Sequence, residues 1–170
     1  DPDNDVAYLF GGTTAASNAV NDLWRYSPAS NTWTQLSPGG GTIPTRNTHA
    51  AAWDSTNKKM YVFGGYASGV CNRSDLWSYD PSANTWTQLS PTGTPPIARK
   101  QHSATYDATN NKMYILGGYS YAAQAYLSDF WVYDFATNAW TQKTSMTTTR
   151  SYTAATAWDA VNSRVLVFGG

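Results

Sequence analysis

Three arginines offer the most obvious chemistry in this sequence. Arg46, Arg99 and Arg150 recur at steps of 53 and 51 residues, each behind a Thr- or Pro-rich stretch. A guanidinium is a planar fork of donors that matches a carboxylate. Asn47, Lys100, His102 and Tyr152 stand beside them, and Tyr66, Tyr119, Tyr121 and Tyr126 could form an aromatic rim. Arginines ringed by tyrosines would suit an acidic or polar peptide, or a glycan. The same arginines could instead bridge backbone carbonyls inside the fold, and both readings stand at this point.

The other reactive groups point away from catalysis. His49 and His102 each follow their Arg by three residues, and Thr153 takes that place in the third instance. A metal needs converging ligands; two histidines at a repeat spacing read as hydrogen-bonded core residues, so neither a metal nor a cofactor is expected. All eleven acidic residues are Asp. Asp54, Asp107 and Asp159 recur, as do Asp22, Asp75 and Asp129, and Asp80 and Asp134. Recurrence of this kind is turn chemistry, whereas glycoside hydrolysis would want a carboxylate pair facing a cleft. The Gly stretches lack a Lys and a following helix, so they are not phosphate cradles. No G-x-S-x-G elbow is present. Cys71 is alone, which rules out an internal disulfide and a cysteine zinc site. No catalytic residue is assigned, and the chain is expected not to be an enzyme.

The elements that hold these residues are themselves periodic. Double glycines stand at Gly11-Gly12, Gly64-Gly65, Gly117-Gly118 and Gly169-Gly170, at steps of 53, 53 and 52. "DLW" at 22–24 returns at 75–77 and as "DFW" at 129–131; "NTWTQL" at 31–36 returns at 84–89 and as "NAWTQK" at 138–143. A period near 50 marks a propeller or an array. Each period reads as four short strands, for example "HAAAW", "KMYVFGG", "DLWSYD" and "TWTQL", separated by Asp- and Asn-rich turns. Charged residues make up 13% and aromatics 15%, a composition poor in helix formers and suited to strands. With zero net charge and no basic patch, nucleic acid is not an expected partner. No apolar run approaches the ~18 residues of a membrane span.

These marks resemble the kelch repeat, a blade of four antiparallel strands in a β-propeller. The resemblance rests on Gly64-Gly65 after the second strand, Tyr79 in the third, Trp86 in the fourth and Arg99 ahead of the next blade, and it covers nearly the whole chain. It implies that Gly11, Gly12, Gly64, Gly65, Gly117 and Gly118 sit where blades crowd, and that Trp33, Trp86 and Trp140 are wedges between blades. It implies three blades' worth of an all-β fold. The approximate repeats are 1–45 (partial), 46–98, 99–149 and 150–170 (partial), either an arc of a larger propeller or half of a six-bladed dimer. The long loops at 13–21, 66–74 and 119–128 are expected on one face, together with the linkers at 37–46, 90–98 and 143–149. On that face the resemblance places ligand contacts at Arg46, Arg99, Arg150, Asn47, His102, Tyr152, Tyr66, Tyr119 and Tyr121. The function it implies is non-catalytic binding of a protein, peptide or glycan, with self-association or an architectural role at the cell surface as alternatives and a kelch-type enzyme, an oxidase or a sugar-modifying one, ranked last. The Asn72-Arg73-Ser74 sequon and the Thr- and Asn-rich composition lean towards a secreted or surface protein.

Overall fold

The computed structural model describes residues 1–67, 69, 71–150 and 154–170. Every regular element among them is a β-strand. β1 (Ala7–Thr13), β2 (Ala19–Ser27) and β3 (Thr32–Leu36) make an antiparallel sheet. β4 (Gly39–Gly40) belongs to the linker that follows. β5 (Ala50–Asp54) and β6 (Lys59–Phe63) open the second blade. β7 (Tyr66–Ala67) and β8 (Cys71–Asn72) pair in a small hairpin at its tip, and β9 (Leu76–Asp80) and β10 (Thr85–Leu89) complete it. β11 (Ser103–Asp107), β12 (Lys112–Ser120), β13 (Ala125–Asp134) and β14 (Ala139–Lys143) form the third blade in sequential order. β15 (Ala155–Asp159) and β16 (Arg164–Phe168) pair in the fourth. The first strands β5, β11 and β15 lie beside one another, so they form the inner row of the molecule.

The turns follow from their Asp and Asn residues. The Asp54 carboxylate accepts from the backbone N–H groups of Thr56 and Asn57 and from Asn57 Nδ2, and Asp107 does the same with Thr109 and Asn110. At the next turn, Asn84 and Asn138 take left-handed backbone angles, φ 49° and 50°. Asn tolerates these better than most residues. Each accepts a hydrogen bond from a Tyr hydroxyl of the preceding strand, Tyr79 or Tyr133, at 2.9 and 2.7 Å. These turns define one end of the blades; the longer loops define the other.

Two of the linkers begin away from the expected face, although Ile43, whose carbonyl accepts from Asn21 Nδ2, and Met146, whose N–H donates to the Ser128 carbonyl, lie with the long loops as expected. Gly39 and Gly40 run parallel to Thr85 and Trp86 of β10, and Gly39 N–H donates to the Asn84 carbonyl, beside the short turns. Thr92 pairs likewise with Ala139. Outer strands are strongly twisted, so the end of one blade's fourth strand swings down beside the next blade. The linker then covers part of an exposed sheet edge.

The core lies between blades. Phe10, Leu23, Val62, Trp77, Tyr79 and Trp86 form one cluster, and Phe63, Leu76, Met113, Ile115, Tyr133 and Trp140 form the next. Trp86 and Trp140 are buried against Phe10 and Phe63 of the blade before, with ring centroids 4.9 and 5.1 Å apart. Trp33, expected to do the same, is 53% exposed and touches Tyr26 of its own blade.

Candidate functional site

The arginines tie blade to blade. The Arg46 N–H donates to the Val20 carbonyl, and the Arg46 carbonyl accepts from Gly12, both in the first blade. The Arg46 side chain turns into the second blade: Nη1 donates to the Gly64 carbonyl, and Nη1 and Nη2 hold the Asp75 carboxylate at 2.9 and 2.7 Å. Arg99 repeats this, with its backbone on Arg73 and Gly65 and its side chain on Gly117 and Asp129. The same Asp residues accept the indole N–H of Trp77 and Trp131. Both guanidiniums are fully buried. Burial pushes the Asp75 and Asp129 carboxyls up, but hydrogen bonds and charge from Arg46 and Arg99 outweigh it, so both lie below the ordinary carboxylate value.

Of the two readings of these arginines, the structure therefore supports the structural one for Arg46 and Arg99. A fork with its donors on a carboxylate and carbonyls behind the wall has nothing to offer a ligand. Arg150 keeps the backbone half of the arrangement, to Leu127 and Gly118, and its Nη1 lies 3.4 Å from the Gly169 carbonyl. The glycines fit around this tie. A Cβ at Gly64 would come within 2.9 Å of the Arg99 carbonyl, and one at Gly65 within 2.8 Å of the Asn47 carbonyl.

His102 does not reach the surface either. It is 5% exposed, packs edge-on against Phe63 at 5.5 Å, and its two ring nitrogens have no hydrogen-bond partner among the described residues. The expectation of core histidines holds, and the Phe63 and Phe10 backbones act on the rings of His102 and His49, raising their pKa values against the larger lowering. Burial, and next the Arg99 charge, lower its pKa to about 3; burial and Arg46 lower that of His49 to about 4. Both imidazoles are neutral at pH 7. Tyr152 lies outside the described residues.

The remaining candidates do meet at the loop end. Tyr66 bridges Asn47 through the backbone, and Tyr119 bridges Lys100 in the same way one blade on. The Lys100 ammonium lies 4.6 Å from the ring centre of Tyr121, 5.1 Å from that of Tyr66 and 5.8 Å from that of Tyr119. It also donates to the Tyr121 hydroxyl at 3.1 Å. Tyr126 stacks edge-on against Tyr119 at 5.1 Å. Tyr121 and Tyr126 are 36% and 47% exposed. The centre of this patch, Lys100, was legible in the sequence only as a neighbour of Arg99. Its signal was that it breaks the repeat, where Asn47 stands one blade earlier. The sequon beside the patch is occupied by structure: Asn72 Nδ2 donates to the Tyr119 carbonyl, and its Oδ1 is buried.

Residues 2–170 match the family model described as the KLHDC2/KLHL20/DRC7 Kelch-repeats domain. Kelch domain-containing protein 3 of Rattus norvegicus is 30% identical over 145 residues, which is 81% of this chain and 37% of that protein. The leucine-zipper-like transcriptional regulator 1 homolog of Drosophila melanogaster is 31% identical over 134 residues, 75% of this chain and 13% of that protein. Host cell factor 1 of Homo sapiens is 33% identical over 129 residues, 66% of this chain and 6% of that protein. The chain thus matches well under half the length of each of these relatives.

Proposed function

This chain belongs to the kelch-repeat family, and we propose that it serves as a non-catalytic protein-interaction module whose contact surface is the loop end of the second and third blades. One observation carries the reading. The residues that repeat are spent on the fold, with Arg on Asp, Asp on turn amides, and Gly and Trp between blades. The residues that break the repeat, Lys100, Tyr121 and Tyr126, gather at one place and are partly open to solvent. Tyrosines give large contact area for little conformational entropy, and variable loops on a rigid scaffold are where binding is usually built.

A random peptide display library panned on the purified chain tests this. Selected peptides are expected to lose affinity for Tyr121→Ala and Tyr126→Ala. They should ignore Val161→Ser, a substitution of a 91% exposed residue at the short-turn end. Peptides that respond only to Val161→Ser would overturn the proposal.

A further inference from the structure

Resting on that reading and sharpening it, we propose that Lys100 and Tyr121 form an anion seat that receives an Asp or Glu side chain from the partner segment. The charge distribution is the first ground. Three acidic residues lie at the loop end, and each already accepts an indole N–H at 2.6 Å: Asp22 from Trp24, Asp75 from Trp77 and Asp129 from Trp131. Two of them also hold a buried guanidinium. At the other end of the blades, Lys59, Lys112 and Arg164 are paired with Asp80, Asp134 and Asp159. Among the described residues Lys100, like Arg73 near it, has no such pair, and what sets it apart is the tyrosines around its ammonium.

The donor set is the second ground. An ammonium carries three N–H donors, and Lys100 spends one of them on the Tyr121 hydroxyl. That hydroxyl is an acceptor in this bond, so its own O–H is left to donate outward, polarised by the neighbouring charge. The remaining ammonium donors and the phenol O–H together match the two oxygens of one carboxylate. The third ground is preorganisation. The rings of Tyr66, Tyr119 and Tyr121 surround the Lys100 ammonium before any ligand arrives, which removes part of the usual ordering cost. The equivalent residue in the preceding blade, Asn47, is instead tied to Thr13 Oγ1 at 2.9 Å. The seat is therefore a property of one blade and not of the repeat.

Two fluorescent peptide pools that differ only in a central Asp or Asn provide the test, read by anisotropy at low and high salt. The Asp pool is expected to bind wild-type chain about tenfold more tightly than the Asn pool, with the preference shrinking as salt rises. Lys100→Met, which keeps a long apolar stem, should erase the preference. Tyr121→Phe, which removes only the O–H, should reduce it. Equal binding of the two pools, with both weakened by Tyr126→Ala, would overturn the anion seat and leave the loop-end interface standing. No binding of either pool, or binding that no loop-end substitution alters, would overturn both. A thermal transition like that of wild type identifies variants that remain folded.

Discussion

Arg99 and Asp129 meet fork to fork, with Nη1–Oδ1 at 2.7 Å and Nη2–Oδ2 at 2.6 Å, across 30 residues of sequence. The Arg side chain is fully buried and the Asp side chain is 17% exposed. Such a pair is held in place by what its loss would leave behind. Arg99→Met strands a desolvated carboxylate, and the expected cost is about 3–5 kcal/mol in urea unfolding. The double variant Arg99→Met/Asp129→Leu removes both charges and should cost clearly less than the sum of the single changes. Additive costs would show that the two groups are not coupled.

The wedge residues give a second contrast, within one side-chain type. Trp140 is 5% exposed and fills the space between Phe63 and Tyr133, whereas Trp33 is 53% exposed. Trp140→Ala should destabilise by about 3–5 kcal/mol through lost burial and the cavity it leaves. Trp33→Ala should cost about 1 kcal/mol at most. Equal losses in denaturant titration would contradict the assigned packing.

Backbone conformation and steric room separate at two glycines. Gly64 has φ +64° and no space, since a Cβ would meet the Arg99 carbonyl and His102 Cε1, each at 2.9 Å. Gly69 has φ +81°, and a Cβ there would have no described residue within 4 Å. Ala at either position meets the left-handed penalty of about 1–2 kcal/mol. Only Gly64→Ala adds overpacking, of about 1–3 kcal/mol. The melting temperature should therefore fall more for Gly64→Ala than for Gly69→Ala, and the reverse order would count against the blade-to-blade tie.

The blades were readable from sequence because their causes are local. Asp54 makes its turn with Thr56 and Asn57 only two and three residues away, and alternation and the double glycine mark the strands directly. The Arg99–Asp129 pair was not readable, because each residue already had an adequate local explanation: Asp129 as the start of a strand, Arg99 as a repeated mark. Their meeting depends on how β11 and β13 lie in one sheet with β12 between them. The site was obscured for a related reason. Repetition draws attention to Arg46, Arg99 and His102, which the fold consumes, and away from Lys100, which interrupts the pattern. Trp33 shows the limit of repetition itself, since Trp86 and Trp140 owe their burial to Phe10 and Phe63 of another blade, which the motif does not encode.

His102 makes the last prediction, a dependence of stability on pH. Its imidazole has an ordinary pKa near 6.5 in the unfolded chain and about 3 in the folded one, lowered first by burial and then by the Arg99 charge. Above pH 6.5 neither state binds the proton, and the stability is fully present. Between about 6.5 and 3 the unfolded chain takes up a proton that the folded one refuses, so stability falls with pH at about 1.4 kcal/mol per unit. His49, lowered to about 4, steepens the decline down to that value. Asp75 and Asp129 act in a lower window: their folded pKa values lie below the unfolded ones, so their contribution is present above the ordinary carboxylate value and lost as pH drops through the folded values. Urea unfolding at a series of pH values between 7 and 4.5 should thus show a slope that His102→Leu flattens, whatever that substitution does to stability at pH 7. An unchanged slope in His102→Leu would mean that the imidazole accepts its proton in the folded chain, and that its buried place beside Phe63 is wrong.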